Sequence, residues 1–162
     1  MNGSRSCLIL LLLAACCVTA AARIGEGEGD LMKRYGPPLS SEAVGDYQRS
    51  VYEKNGCSIT VFFANGRSVM ESFTGRGFDQ ITARKLAVAV ASNPSFGCPD
   101  AKQETLIRQA SGISDSEEVF WTWRCSGALL TAAYNPLECT LTFFSAPAVY
   151  AGVHKALADQ PL

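Results

Sequence analysis

Two alternating runs rich in β-branched and aromatic residues, Ser58-Ile59-Thr60-Val61-Phe62-Phe63 and Ser68-Val69-Met70-Glu71-Ser72-Phe73, flank Ala64-Asn65-Gly66-Arg67. Asn-Gly between such runs specifies a β-hairpin, because both central residues of a type I′ turn need positive φ, which Asn and Gly reach with least strain. Any fold open to this chain therefore contains an antiparallel sheet. Ile59, Val61 and Phe63 share one side of the first strand and mark it as the core side. Val69, Glu71 and Phe73 share one side of the second, which reads as mixed. Tyr47 to Tyr52 adds a third strand before Asn55-Gly56.

Helical signals surround this block. Leu31 to Tyr35 reads as a short helix closed by Gly36-Pro37-Pro38, with Glu26, Glu28 and Asp30 before it and Lys33 and Arg34 near its end, the order that suits the helix dipole. Ile81, Leu86, Ala89 and Val90 fall at helical spacing within Asp79 to Asn93, with Asp79 or Thr82 as N-cap and Asn93-Pro94 as the stop. Pro99 to Ala110 fits either a helix or, at Thr105-Leu106-Ile107, a short strand. Val119 to Tyr134 and Cys139 to Ser145 form a second β block turning at Asn135-Pro136, and Pro147 to Ala158 ends the chain as a small-residue helix. Setting Gly56 on Gly127, an offset of 71, places Ile59-Thr60-Val61 on Leu130-Thr131-Ala132, Phe63 on Tyr134, Met70 on Leu141 and Phe73 on Phe144. That match makes the two blocks a candidate tandem repeat. The expected fold is α+β: one antiparallel sheet from two β blocks, with the helices packed on one face.

Residues 1–22 carry Arg5, an apolar run from Cys7 to Ala15 and Ala20-Ala21-Ala22 before Arg23, the layout of an export signal and too short for a membrane span. Two processing routes compete. Cleavage after Ala22 or Ala20 releases a soluble periplasmic or secreted product. Leu13-Ala14-Ala15-Cys16 resembles a lipobox, whose use would anchor the chain by lipid at Cys16. The small residues at both cleavage positions favour the soluble product. Residues 23–162 then form a single domain, long enough to bury roughly two-thirds of its unfolded surface. Without Arg5 it holds 13 basic against 15 acidic side chains, with no run of one sign, which excludes a nucleic-acid partner.

Cys57, Cys98, Cys125 and Cys139 remain in that domain, and an even count in an oxidising compartment predicts disulfides, with three pairings open. Buried thiols are the blander alternative. Their spacings of 41, 27 and 14 residues match no zinc pattern, and the single histidine, His154, lacks a nearby nucleophile and orienting partner in sequence. Gly25-x-Gly27-x-Gly29 precedes no strand-to-helix crossover and is interleaved with Glu26 and Glu28, so a phosphate loop is rejected. No catalytic residue, metal or cofactor is predicted. Phe120-Trp121-Thr122-Trp123 puts both tryptophans on one side of a strand, where they either roof the core or face a partner. With one sheet side open, Phe62, Phe120, Trp121, Trp123 and Tyr134 are the candidate binding face.

Arg34-Tyr35-Gly36-Pro37, then Gly56-x-x-Ile59-x-Val61-x-Phe63-x-Asn65-Gly66-Arg67, then a helix closing on Asn93, resembles a group of small exported bacterial α+β proteins without assigned activity. The layout is also similar to the helix-then-sheet modules of β-lactamase inhibitor proteins and of small outer-membrane assembly lipoproteins. Cys98 departs from the first group, which tends to carry tryptophan there. Those modules bind other proteins, while the first group supplies no activity; the expected function is that of a noncatalytic exported protein that binds another protein or an envelope component through its open sheet face. A small secreted hydrolase with a scattered site and a lipid-anchored structural protein are the alternatives.

Overall fold

The computed structural model describes residues 24–75, 78–91, 105–110, 117–125 and 128–160. The leader with Ala22 and Cys16, and the segment holding Cys98, lie outside these residues. Among the described residues, three helices and eight strands follow in the order α1 (Glu28–Tyr35), β1 (Ser40–Val44), β2 (Tyr47–Lys54), β3 (Cys57–Ala64), β4 (Arg67–Thr74), α2 (Gln80–Ala91), β5 (Thr105–Ala110), β6 (Glu117–Cys125), β7 (Ala128–Asn135), β8 (Thr140–Phe144) and α3 (Pro147–Ala158). The fold is α+β, as the pattern predicts.

The Asn-Gly turn forms as expected, with φ of 52° at Asn65 and 72° at Gly66, and Asn55-Gly56 repeats it between β2 and β3 at 54° and 76°. Gly36 closes α1 at φ 92°, donating its N–H to the Met32 carbonyl at 2.9 Å. Asp79 caps α2: its Oδ1 accepts the Thr82 N–H at 2.7 Å. The Thr105 to Ala110 stretch resolves as strand rather than helix. The edge strand β1 is new: Ser40-Ser41-Glu42-Ala43 is exposed, so it lacks the apolar alternation by which strands are read.

The strands form one antiparallel sheet in the order β1-β2-β3-β4-β8-β7-β6-β5. Each half is a helix followed by a four-strand meander, and the halves join through their last strands. The register repeats as well. Tyr52 pairs with Ile59 between β2 and β3, and Trp123 pairs with Leu130 between β6 and β7, each 71 positions later. On the last strand the correspondence moves by one: Val61 faces Glu71 whereas Ala132 faces Phe143. The turn between Asn135 and Thr140 encloses two residues more than that between Ala64 and Arg67, and a bulge at the Phe62–Phe63 step, which leaves Val69 of β4 extra, offsets one of them. Met70 therefore corresponds to Thr142, not to Leu141 as the sequence offset suggests. Since a one-residue slip swaps sheet faces, this correction decides which side chains share a face. The central pairing of Met70 with Phe144, Glu71 with Phe143 and Ser72 with Thr142 is symmetric about the Glu71–Phe143 pair.

Both faces of the sheet are covered at least in part. On the first, Leu31 and Tyr35 of α1 and Ala83, Leu86, Ala87 and Val90 of α2 pack with Tyr52, Ile59, Val61, Phe73, Trp121, Trp123, Leu141 and Phe143. On the second, Val153 of α3 packs with Val44, Phe62, Met70, Ala133 and Phe144. The terminal helix thus lies opposite α1 and α2, not on the one face expected. The reason is in the strands: Phe62, Met70 and Phe144 align across β3, β4 and β8 and present an apolar row that must be shielded from water. This also explains why β4 reads as mixed, since both of its sides are buried.

Candidate functional site

Four members of the predicted aromatic face lie inside the protein. Trp121, Trp123 and Tyr134 are 1%, 3% and 3% exposed beneath α1 and α2, and Phe62 is 2% exposed beneath α3. Tyr134 donates its hydroxyl hydrogen to the Phe78 carbonyl at 2.5 Å. Burial raises its pKa, with Cys139 and then Asp79 adding to the effect. Phe120 is partly exposed and sits edge-on to Tyr150 of α3, ring centroids 6.0 Å apart. These rings shape the core instead of forming an aromatic surface: α1 and α2 cover Trp121, Trp123 and Tyr134 on the first face, and α3 covers Phe62 on the second.

No disulfide joins Cys57 to Cys139. Ser58 pairs with Thr74 and Thr74 with Thr140, so the two cysteines flank Gly75 at a separation of two strands. That spacing, roughly 9 to 10 Å, exceeds the roughly 4.4 to 6.8 Å between the Cα atoms of a bridged pair. Cys57 is buried, and its Sγ lies 3.3 Å from where a Cβ on Gly75 would stand. Cys139 is half-buried, with its thiol directed at the Pro136 carbonyl at 3.8 Å. Cys125 ends β6 at the opposite end of the sheet, where it pairs with Ala128.

A different surface emerges from the register. On the second face, Thr60, Ser72 and Thr142 form one row across β3, β4 and β8, and Ser58, Thr74 and Thr140 form the next. All six positions carry hydroxyls. Ser72 and Thr142 hydrogen-bond at 2.9 Å, and Thr74 and Thr140 at 2.8 Å. The spacings Ser58-x-Thr60, Ser72-x-Thr74 and Thr140-x-Thr142 hold the signal in sequence, but only the pairing of three strands, two of them 66 residues or more apart, makes it a block.

Five of the six, all but Ser58, floor a cavity of about 200 Å³. Tyr150, His154 and Leu157 of α3 wall one side, and Arg49 and Glu138 stand among its other lining residues. Tyr150 is stacked among Phe144 at 4.7 Å, His154 at 4.3 Å and Phe120, which fixes the wall. Arg49 pairs with Glu42 through its terminal nitrogen, while its Nε is buried and makes no hydrogen bond among the described residues. Gly152 lets α3 approach β2: a Cβ there would stand 2.6 Å from the Tyr47 hydroxyl. His154, set aside in sequence for want of partners, thus lines the groove beside a hydroxyl-rich floor.

A second buried polar group sits on the other face. Glu71 is fully buried at the centre of the sheet and accepts the Tyr35 hydroxyl hydrogen at 3.3 Å. Burial pushes the Tyr35 pKa upward, and the Glu71 charge adds to that shift. Arg34 pairs with Glu26 and lies 5.4 Å from the Tyr35 ring centroid. This network ties α1 to the sheet, and none of its residues lines the cavity beside α3.

Among the described residues, no helix is long and apolar enough to cross a membrane. No family model matches the chain, and no curated protein matches it. Among solved structures it is similar to a cysteine-rich secretory protein from Staphylococcus aureus, at 10% identity and a TM-score of 0.42 over 78% of this chain and 46% of that one. It is similar also to an extracellular protein containing an SCP domain from Bacillus anthracis, at 11% identity and a TM-score of 0.42 over 81% and 48% respectively. The chain spans about half the length of those proteins.

Proposed function

We propose that this is an exported, noncatalytic protein that binds an envelope component through the hydroxyl-lined groove beside α3. The six-position block of Ser58, Thr60, Ser72, Thr74, Thr140 and Thr142 carries the reading. It is the part of the second sheet face where the strands turn from apolar to hydrogen-bonding side chains, next to a cavity with Arg49 and His154 on its margin. Polar groups converging on a partly apolar hollow are what ligand sites provide. A binding role is favoured over hydrolysis because a hydroxyl nucleophile needs a base in hydrogen-bond contact. Here Ser72, Thr74, Thr140 and Thr142 are bonded to one another. Export rests on the leader at residues 1–22.

The experiment is co-sedimentation of the purified mature protein with cell-envelope fragments. Wild type is expected in the pellet. Thr74→Lys with Thr140→Lys, which fills the groove with long side chains, is expected to stay in the supernatant. Ile81→Lys, on the exposed outside of α2, should pellet as wild type does. Equal loss from both variants, or no pelleting of wild type, overturns the reading. Intact mass of the exported product separates an Arg23 start from a lipidated Cys16.

A further inference from the structure

Resting on the groove being the binding site, we infer that its ligand is a neutral polyhydroxylated molecule, a saccharide, laid with its hydroxyls along the two Ser/Thr rows. The argument is one of donor and acceptor supply. In each of the pairs Ser72–Thr142 and Thr74–Thr140 one hydroxyl hydrogen is spent on the partner. In Ser72–Thr142 the other hydroxyl keeps its hydrogen, so that pair offers one donor together with acceptors, whereas Thr140 gives its hydrogen to the Glu138 carbonyl at 3.2 Å and the Thr74–Thr140 pair offers acceptors only. The rows repeat at the strand spacing of about 4.8 Å in one direction and every second residue in the other. Such a surface presents hydroxyl acceptors at short intervals, with donors at fewer positions.

A carboxylate or phosphate only accepts, so it would leave the acceptor side of every pair unmet. Glu138 on the lining adds repulsion. A cation meets the opposite difficulty, since Arg49 lies at the same groove. A sugar hydroxyl donates and accepts at once, so it can satisfy both sides of Ser72–Thr142 and donate to Thr74–Thr140. The partly exposed Tyr150 ring on the lining suits the C–H face of a pyranose. Aliphatic or aromatic peptide side chains would use that ring but not the hydroxyl rows.

The test uses isotope-labelled mature protein titrated with cellotriose and an N-acetylglucosamine trimer as neutral probes, a galacturonate trimer as the acidic probe, and tetra-alanine as the peptide probe. The neutral trisaccharides are expected to shift the amide signals of Thr60, Ser72 and Thr142 and the ring signals of His154. Ser72→Ala with Thr142→Val should weaken that binding at least tenfold while the protein stays folded, because both partners of one bond are replaced together by groups of similar shape. If that variant fails to fold, Thr74→Val with Thr140→Val, at the more exposed pair, serves in its place. Groove shifts caused by the acidic trimer or the peptide but not by the neutral sugars overturn the assignment of a neutral saccharide and leave the groove reading standing. Absence of groove shifts with every probe, or shifts confined to other surfaces, overturns both.

Discussion

Replacing Tyr35 by Phe isolates one hydroxyl in the contact that holds α1 on the sheet. The ring stays, so its packing against Tyr52, centroids 5.7 Å apart, is kept. What goes is the donor to Glu71, a carboxyl with no exposure to water. A hydrogen bond to a charged group contributes about 1.5 to 3 kcal/mol. The 3.3 Å separation is long for an O–H donor, and Glu71 has other interactions, so the lower end applies. The expected loss is about 1.5 kcal/mol, or roughly 3 to 6 °C in melting temperature for a domain of this size. Urea denaturation at pH 7 reads it as a lower midpoint with an unchanged slope.

The same tyrosine gives a pH signature with a definite sign. Its folded pKa lies above the unfolded value near 10. At high pH the unfolded chain therefore releases a proton that the folded chain retains, so stability present below about pH 10 falls as the pH rises further. Tyr35→Phe should flatten that part of the alkaline fall. A change below about 0.3 kcal/mol at pH 7, together with an unaltered alkaline limb, would refute the idea that this hydroxyl supports the buried carboxyl.

Other expectations follow from the packing. Trp121→Ala, at 1% exposure under α2, should cost about 3 to 5 kcal/mol, seen as a loss of cooperative melting or a large drop in urea midpoint. Asp79→Ala removes the N-cap of α2 and should cost about 1 kcal/mol. The Asp79 pKa is lowered, chiefly by the Thr82 backbone N–H. The cap's contribution is therefore present above the unfolded pKa near 4 and fades as the pH falls below it, which acid denaturation of wild type and variant will show. Gly152→Ala pushes a methyl group into the Tyr47 hydroxyl. It should lower the melting temperature and shift the Tyr47 ring signals, and Tyr47→Phe in the same chain should recover part of the loss.

Much of the fold was legible because it rests on local chemistry. Asn65-Gly66 and Asn55-Gly56 are turns for reasons internal to two residues, Gly36 stops α1 because only glycine enters that conformation cheaply, and Asp79 caps α2 from three residues away. The parallel between the two β blocks was legible to within one residue, since apolar alternation marks strands but cannot show a bulge. The edge strand β1 escaped because its side chains face water and carry no periodicity. The aromatic face went astray at Phe62, Trp121, Trp123 and Tyr134 for the opposite reason: a large ring in a strand has the same appearance in sequence whether a helix lies over it or not.

The chain alone settled the Asn55-Gly56 and Asn65-Gly66 turns and the helix ends at Gly36 and Asp79, since caps and turns act over a few residues. Tertiary structure decided which faces are covered. α3 crosses to the far side of the sheet to bury Phe62, Met70 and Phe144, and β4 meets β8 so that Ser72, Thr74, Thr140 and Thr142 become neighbours. Those outcomes depend on pairing between strands distant in the chain, and the free energy that selects them, burial of apolar rows from water, belongs to the assembled sheet and to no single segment.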